Sequence, residues 1–216
     1  MARQLLQGIP AASNPDASAR SIFARYNNST TPGGSRRLAS QLLDEIKAMR
    51  QHHHPMMDVY VSQTNMAFWK VVMQGPPDSP YSRGTFLLWI EIGEDFPRRP
   101  PTARFVTSML HPNITKHGRI CHPIFSREWT PTLRIHQVLE HCYGILILLE
   151  ARDAIDPLSA LTFWSKAEEG KREVERYVVH LASRSRAQHK NDILRISTPP
   201  ILTKTELPFL PVARTG

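Results

Sequence analysis

The residues with the clearest chemical potential are the two cysteines, Cys121 and Cys142. A secreted protein stabilised by disulfides normally carries more cysteines, so the count predicts a reduced compartment and a free thiol. A free thiol is a nucleophile when it is accessible and deprotonated; otherwise it is a small hydrophobic side chain. Cys142 lies on the apolar side of a predicted helix, which favours burial for that residue.

Cys121 lies in a stretch without regular periodicity. From His111 to Pro131 the chain shows neither the spacing of an amphipathic helix nor the alternation of a strand. A long irregular stretch inside a compact domain is often functional. It places Asn113 and His122 close to the thiol along the chain. This stretch is the candidate site, although position alone leaves open whether Cys121 is reactive or buried.

Histidines near both cysteines raise the question of a metal site. His52, His53 and His54 are consecutive, and further histidines lie close to Cys121 and Cys142 along the chain. The paired spacing of structural zinc ligands, such as CxxC, is missing. Three consecutive histidines before a proline fit a solvated helix end better, so the sequence predicts no metal site.

Two groups of elements on the N-terminal side would have to position this stretch. The first is a helix over about residues 36–50, where apolar residues recur at helical spacing and which ends before Pro55. The second is a run of strand-like segments, rich in β-branched and aromatic residues, that predicts an antiparallel meander. The segments are 57–61, 67–73, 86–92 and 103–107.

Helices are predicted on the C-terminal side of the irregular stretch. One spans about residues 133–150, with Leu139 and Cys142 on its apolar face. A further helical region begins near Leu158, and another helix runs over about residues 170–190. The order of helix, strands, irregular loop and helices predicts an α+β domain with a four-stranded antiparallel meander, and not alternating βαβ units.

The two ends of the chain differ in composition from this core. Residues 1–34 are rich in small and polar residues and predict a flexible arm. Pro199 and Pro200 interrupt regular structure near the other end. We therefore divide the chain into a flexible N-terminal arm (1–34), a folded domain (35–192) and a flexible C-terminal tail (193–216).

The chain is basic, with a formal charge of +8 over 216 residues. A basic surface attracts acidic proteins, nucleic acid or anionic membranes. Here Lys and Arg are scattered, which favours a solvated basic surface over dedicated nucleic-acid binding. No apolar run is long enough for a membrane span, and the N-terminus does not look like a signal peptide. Together with the reduced thiols, this predicts residence in the cytoplasm, the nucleus or both.

Several sequence blocks follow one another in a recognisable order. They are Trp69 to Tyr81, Gly84-Thr85-Phe86, Asp95-Phe96-Pro97, Pro100-Pro101, His111-Pro112-Asn113-Ile114, Gly118, Ile120-Cys121, Trp129, Pro131 and Asp156-Pro157-Leu158. Over about Leu38 to Lys190 the chain resembles the ubiquitin-conjugating enzyme (E2) family with its UBC fold. Ten positions separate His111 from Cys121 and eight separate Cys121 from Trp129, as in the family's active-site segment. Such a series is more specific than one short motif.

The resemblance implies a transferase that accepts ubiquitin, or a ubiquitin-like protein, from an E1 activating enzyme as a thioester on Cys121. The modifier then passes to a lysine or to a cysteine of an E3 ligase, and the E2 needs no metal or organic cofactor. Asn113 would assist the oxyanion, Asp156 would orient the incoming lysine, and His111 would be a scaffold for the loop. Asn113 can also satisfy a turn, and Asp156 before Pro157 can be a helix cap.

The residues after the cysteine depart from the family's pattern. Members usually carry an apolar residue and then an acidic or small polar one, whereas here His122 and Pro123 follow Cys121. Pro123 stiffens the loop. His122 would lower the pKa of the thiol if protonated; otherwise it contacts the carrier or faces solvent. The residues expected to support the active-site loop are His111, Pro112, His122 and Trp129.

The surface expected to bind the ligase departs from the pattern as well. Its residues are Pro97, Arg98, Arg99 and Pro131. Arg98 stands where members usually present a large apolar residue to RING-type ligases, the kind of contact that dominates interfaces. This favours another ligase class, an acidic partner or ligase-independent transfer.

Two other functions stay open at this point. One is a catalytically weak or inactive binding module of the same fold for ubiquitin-like proteins. Inactive variants typically lack the cysteine, so the presence of Cys121 argues against it, while His122, Pro123 and Arg98 keep it open. The other is a basic nucleic-acid-binding domain, which only the net charge supports.

Overall fold

The computed structural model describes residues 36–62, 65–148, 154–155, 167–195 and 209–212. The predicted N-terminal arm, Asp156 and the helical region predicted near Leu158 lie outside the described residues. Within the described ranges, no helix is both long and apolar enough to cross a membrane.

An N-terminal helix packs against an antiparallel sheet. Helix α1 spans Arg36–Gln51 and ends before Pro55, as predicted. The strands are β1 (Met57–Ser62), β2 (Phe68–Gln74), β3 (Thr85–Glu91) and β4 (Thr102–Phe105). Each strand pairs antiparallel with the next, which confirms the predicted meander and the α+β class.

The helices after the irregular stretch are shorter than predicted. They are α2 (Ile135–Gly144), α3 (Ala167–Leu181) and α4 (Arg186–Arg195), while the irregular stretch itself contains a 3-10 turn (Pro123–Phe125). Helix α2 was expected to continue to Glu150 but ends at Gly144, and turns follow. In a continuing helix, the carbonyl of Ile145 would accept a hydrogen bond from the N–H four residues later. Instead it accepts one from buried His111 (2.8 Å), which is part of the reason that the helix ends.

The single helix predicted over residues 170–190 is two helices, α3 and α4. The carbonyl of Ala182 leaves the helical pattern and accepts a hydrogen bond from the N–H of Thr85 on β3 (3.0 Å). Ser185 then begins α4 through a capping box. Its hydroxyl accepts from the N–H of Gln188, and the Gln188 side chain accepts from the N–H of Ser185 (3.2 and 2.7 Å).

Two parts of the predicted C-terminal tail, 193–216, belong to the folded domain. Helix α4 extends to Arg195, and strand β5 (Phe209–Pro211) pairs antiparallel with β1, giving the strand order β4-β3-β2-β1-β5. Val212, just beyond β5, is buried, and its N–H donates to Val59 of β1 (2.7 Å). This pairing covers the free edge of β1, which an isolated meander would leave open.

The two faces of the sheet pack against different elements. Residues that alternate along the strands, such as Val71 and Leu88, join α1 and α2 in the main core. On the outer face a smaller apolar cluster includes Trp89 and Ile193, so α4 covers that side. The main core lies under both β4 and α2. It therefore supports the irregular stretch that connects these two elements.

A long-range contact fixes the start of α2. Glu45 of α1 is buried, and its carboxylate accepts a hydrogen bond from the N–H of Ile135 (2.9 Å) and pairs with Arg134 (2.9 Å). A carboxylate at a helix N-terminus also interacts favourably with the helix dipole. Burial raises the pKa of Glu45, while Ile135 and Arg134 oppose that rise. Helix α1 therefore positions α2 directly.

Candidate active site

A tight hairpin delivers Cys121 to the surface. After β4 the chain turns back, and Ile114 and Ile120 pair as an isolated antiparallel bridge. Gly118 has φ +76, and a Cβ there would lie 1.8 Å from the carbonyl oxygen of Phe105. The N–H of Phe105 donates to the carbonyl of Gly118 (2.9 Å). The close approach requires glycine, so the backbone leading to Cys121 is held against β4.

His111 is a buried scaffold at the base of this hairpin. Its Nδ1 accepts a hydrogen bond from the N–H of Asn113 (2.9 Å), and its Nε2 donates to the carbonyl of Ile145 at the end of α2 (2.8 Å). Burial lowers the pKa of His111 to about 4. The imidazole is therefore neutral at physiological pH, with the proton on Nε2, and its bonds suit the predicted scaffold role.

Asn113 lies directly beside the cysteine. It is fully buried, its carbonyl accepts from the N–H of Cys121 (2.7 Å), and its side-chain Nδ2 donates to the carbonyl of Cys121 (3.4 Å). The side-chain amide is therefore held at the backbone of the nucleophile candidate. Both interpretations of Asn113, as an organiser of the loop and as a donor near the reacting carbonyl, are compatible with this position.

The two cysteines have opposite environments. Cys121 is half-buried on the surface, and both cysteines are free thiols. Cys142 is buried in the main core, where burial raises the pKa of its thiol to about 12. A thiol of that kind stays protonated and out of contact with a protein substrate. Of the two cysteines, only Cys121 is partly exposed.

The residues after the cysteine form a compact turn that the sequence did not predict. Nδ1 of His122 accepts a hydrogen bond from the N–H of Ile124 (3.1 Å), which caps the 3-10 turn at Pro123–Phe125. Pro123 and Ile124 are buried, and the ring of His122 lies 5.2 Å from that of His141 on α2. This cap is compatible with the loop support expected of His122, whereas an effect of His122 on the thiol and a contact with the carrier stay predictions.

Trp129 joins the active-site loop to the proline-rich loop before β4. Its indole N–H donates to the carbonyl of Pro97 (2.9 Å), and its ring lies 6.0 Å from that of Phe96. Arg98 and Arg99 follow on the surface, 78% and 81% exposed, and both face Asp95 (3.0 and 3.7 Å). Their charge is therefore partly balanced by a neighbour on the same loop.

The remaining predicted residues are only partly placed. Pro112 is half-buried, and its carbonyl accepts from the N–H of Ile155 (2.9 Å). Pro131 is exposed. Asp156 lies outside the described residues, so its predicted role stays a prediction. Among the described residues, no three His, Cys, Asp or Glu side chains are grouped so that they could hold a metal ion.

Comparison with known proteins decides the family. A family model described as ubiquitin-conjugating enzyme matches residues 41–181, which includes the hairpin, Cys121 and α2. The chain belongs to the ubiquitin-conjugating enzyme family. This confirms both the resemblance and the predicted fold. The matched range also includes β1 to β4 and α3, so the site described above lies wholly inside the family's domain.

Individual relatives carry matching names. The chain is 33% identical over 151 residues to the probable bifunctional E2/E3 enzyme R795 of Acanthamoeba polyphaga mimivirus, covering 70% of this chain and 12% of that protein. It is 34% identical over 122 residues to ubiquitin-conjugating enzyme E2 N of Drosophila melanogaster, covering 56% and 79%. Over 99 residues it is 34% identical to ubiquitin-conjugating enzyme E2 2 of Saccharomyces cerevisiae, covering 46% and 58%. The chain thus spans less than two thirds of the viral and yeast relatives.

One residue of this E2-family site was not singled out from the sequence. Tyr81 is buried, its hydroxyl donates to the carbonyl of Leu110 (2.8 Å), and its ring lies 5.7 Å from that of His111. It therefore holds the chain just before the hairpin. Tyr81 ends the loop after β2, and a tyrosine that is buried usually finds a hydrogen-bond partner for its hydroxyl.

Proposed function

We propose that this protein carries ubiquitin, or a ubiquitin-like protein, as a thioester on Cys121 and transfers it to an amine or to a ligase cysteine. The observation that carries the proposal is the placement of Cys121. Cys121 is partly exposed, while its backbone is hydrogen-bonded to Asn113 on the hairpin. Membership of the ubiquitin-conjugating enzyme family supports the same chemistry.

The first step is thioester exchange with an E1 activating enzyme. The thiolate of Cys121 attacks the carbonyl carbon of the E1 thioester, a new C–S bond forms, and the E1 sulfur leaves as a thiolate. No net oxidation occurs. The rigid hairpin contributes by holding the sulfur in one position, because positioning two reacting groups lowers the entropic cost of reaction.

The second step is attack by an amine or by a ligase thiolate. A deprotonated lysine adds to the thioester carbonyl, the tetrahedral oxyanion collapses, the C–S bond breaks, and the attacking nitrogen loses a proton. Asn113 would donate its side-chain amide toward that oxyanion, since its Nδ2 already lies at the backbone of Cys121. Asp156 would orient the incoming lysine and favour its deprotonation.

The supporting residues have separate structural tasks in this proposal. His111, which is neutral and makes two hydrogen bonds, would hold the hairpin in place against α2. His122 would hold the turn after the cysteine, and Trp129 would fix that turn to the loop of Pro97. None of these three side chains needs to exchange a proton with the substrate.

Recognition of a ligase is proposed to differ from that of typical members. The surface of Pro97, Arg98, Arg99 and Pro131 presents guanidinium groups where a RING domain would find an apolar anchor. An acidic partner, another ligase class or transfer without a ligase fits this surface better. Residence in the cytoplasm, the nucleus or both is part of the same proposal, since a thioester carrier needs a reduced cysteine.

Charging with E1, ATP and ubiquitin tests the proposal. A reductant-sensitive adduct should form with the wild-type protein and with Cys142→Ala, but not with Cys121→Ala. Binding of ubiquitin or a related modifier without any adduct would instead favour a non-catalytic module of the same fold. An adduct that persists in Cys121→Ala would place the carrier elsewhere in the chain.

A further inference from the structure

Three basic side chains lie on β4 and on the neighbouring hairpin that leads to Cys121. Arg104 of β4 and Arg119 are opposite residues in an isolated antiparallel bridge. Opposite residues project to the same face, with their Cβ atoms about 5 Å apart. Lys116 lies in the turn of the same hairpin, and both Lys116 and Arg119 are exposed. We refer to Arg104, Lys116 and Arg119 as the basic cluster.

In the described part of the chain, the basic cluster has no ion-pair partner. None of the ion pairs among the described residues involves Arg104, Lys116 or Arg119. Glu91, diagonal to Arg104 across β3 and β4, takes part in none of these ion pairs, and burial raises the pKa of its carboxyl. Like charges directly opposite each other in a sheet are destabilising. Among the described residues, no ion pair offsets this repulsion between Arg104 and Arg119.

The backbone under the basic cluster is tightly held. The hydroxyl of Thr115 accepts from the N–H groups of Arg119 (3.1 Å) and His117 (3.3 Å). The N–H of Thr115 donates to the carbonyl of Arg119 (2.9 Å). At Gly118 the structure leaves no room for a side chain. The positive charges are thus presented on a preorganised turn, which lowers the ordering cost of binding a partner.

The basic cluster lies on the same side of the chain as the candidate thiol. Ile120 is buried, so its neighbours Arg119 and Cys121 project away from the core. Two residues along an extended strand span about 7 Å. An extended peptide covers about 3.5 Å per residue, so an acidic residue two or three positions from a lysine at Cys121 reaches Arg119.

We propose that the basic cluster binds an acidic segment of the substrate next to the lysine that receives the modifier. The inference rests on the proposed function and adds a substrate class to it. Two adjacent guanidinium groups suit carboxylates, which they bind through paired N–H groups. A single-stranded nucleic acid would need exposed aromatic rings for stacking. Trp89, opposite Arg104 in the sheet, is only 6% exposed.

Single-turnover discharge of the charged protein tests this directly. The Cys121 adduct is formed, ATP is removed, and transfer is followed to two peptides that contain one lysine flanked by Asp and Glu or by Asn and Gln. Arg104→Glu, Arg119→Glu and the double variant are compared with Arg83→Glu. Arg83 is an exposed arginine in the turn before β3, and its reversal makes the same change of charge per residue.

The expected result is selective for the acidic peptide. Wild-type protein and Arg83→Glu should transfer faster to the acidic than to the neutral peptide. The double reversal should lower the rate onto the acidic peptide about tenfold while leaving free lysine and the neutral peptide within about twofold. Salt at 0.5 M should reduce the preference in the wild type, because exposed charges are screened. Arg104→Gln and Arg119→Gln, which remove charge without reversing it, should give intermediate losses.

Three results would overturn the inference. They are an equal loss on both peptides, an equal loss in Arg83→Glu, and salt-sensitive binding of a single-stranded oligonucleotide without preference for the acidic peptide. Fluorescence anisotropy of the labelled acidic peptide on uncharged protein separates this inference from the proposed function. If no adduct forms in the wild type, the proposed function fails, while peptide binding that the double reversal abolishes still supports the docking surface.

Discussion

The segment before Cys121 and the segment after it are held in different ways. Before the cysteine, the hairpin is anchored by buried groups with fixed partners, from His111 at its base to Gly118 at its turn. After it, Pro123 and Ile124 of the 3-10 turn are buried, but the cap of the turn is the half-buried His122, and Trp129 bonds to the separate loop of Pro97. The contrast indicates that the position of the thiol is set mainly upstream, and that position 122 tolerates replacement by a residue that still caps the turn.

Gly118→Ala should have the largest effect, because it acts on the upstream anchor. A residue with a Cβ at φ +76 is strained by about 1–2 kcal/mol, and the clash with the Phe105 carbonyl would also separate the hairpin from β4. We expect the free energy of unfolding to fall by about 3 kcal/mol. Gly93→Ala is the matched control, since a Cβ there meets nothing within 4 Å. Equal urea midpoints for the two variants would contradict this account of the hairpin.

Acid should weaken the same anchor through His111. Its pKa in the folded protein is about 4, below the usual value of 6.5 for the unfolded chain, so the unfolded chain binds the proton first. The contribution to stability is complete above pH 6.5 and declines as the pH falls towards 4, by about 3 kcal/mol in all. Urea unfolding at several pH values should show that the free energy of unfolding decreases over this pH range.

A second buried histidine has to be separated from this effect. His189 on α4 is also buried, and its pKa is likewise lowered to about 4, first by burial. Comparing His111→Gln with His189→Gln shows how much each histidine contributes to the dependence of the free energy of unfolding on pH. Each substitution should weaken part of that dependence. A pH dependence that His111→Gln leaves unchanged would show that the hairpin anchor does not titrate.

His122→Ala should have a smaller effect, confined to the downstream turn. Loss of a side-chain cap typically costs about 1 kcal/mol. His122→Asn should recover most of that loss, because its side-chain oxygen can accept the hydrogen bond from Ile124. The rate at which iodoacetamide alkylates Cys121, measured against pH, distinguishes the roles. If a protonated His122 activated the thiol, His122→Asn would shift that profile as much as His122→Ala.

Arg98→Ala should have the smallest effect. Arg98 is 78% exposed and pairs with Asp95 on the same loop, and such surface pairs contribute about 0–1 kcal/mol. Stability should stay within about 0.5 kcal/mol of the wild type. Arg98→Leu, by contrast, should strengthen binding to a panel of RING domains. Tight RING binding by the wild type that survives Arg98→Ala would remove the proposed ligase difference.

Local patterns in the sequence were sufficient for the meander, for α1 and for the stretch that holds Cys121. They failed where a distant partner decides the structure. The end of α2 depends on His111, and its start depends on Glu45, ninety positions before Ile135. Strand β5 forms because β1 offers a free edge. The Ser185–Gln188 capping box, by contrast, is a local signal for the start of α4 that could have been recognised.

In the candidate site, too, some features follow from the local sequence and others depend on distant partners. The spacing of His111, Asn113 and Cys121 predicted one loop, and the structure joins these residues by hydrogen bonds. The cap by His122 was missed because histidine is not among the preferred N-cap residues. The basic cluster was missed because Arg104 and Arg119 become neighbours only through the pairing of the hairpin with β4.

The central claim is that the sulfur of Cys121 carries the modifier, and Cys121→Ser tests it most directly. A serine at the carrier position should form an oxygen ester with ubiquitin in place of the thioester. We expect intact-mass measurement after charging to show one added ubiquitin, less one water, on both proteins. Reductant should remove it from the wild type, whereas only alkali should remove it from Cys121→Ser. A reductant-sensitive adduct on Cys121→Ser, or no adduct on the wild type with any ubiquitin-like protein, would contradict the claim.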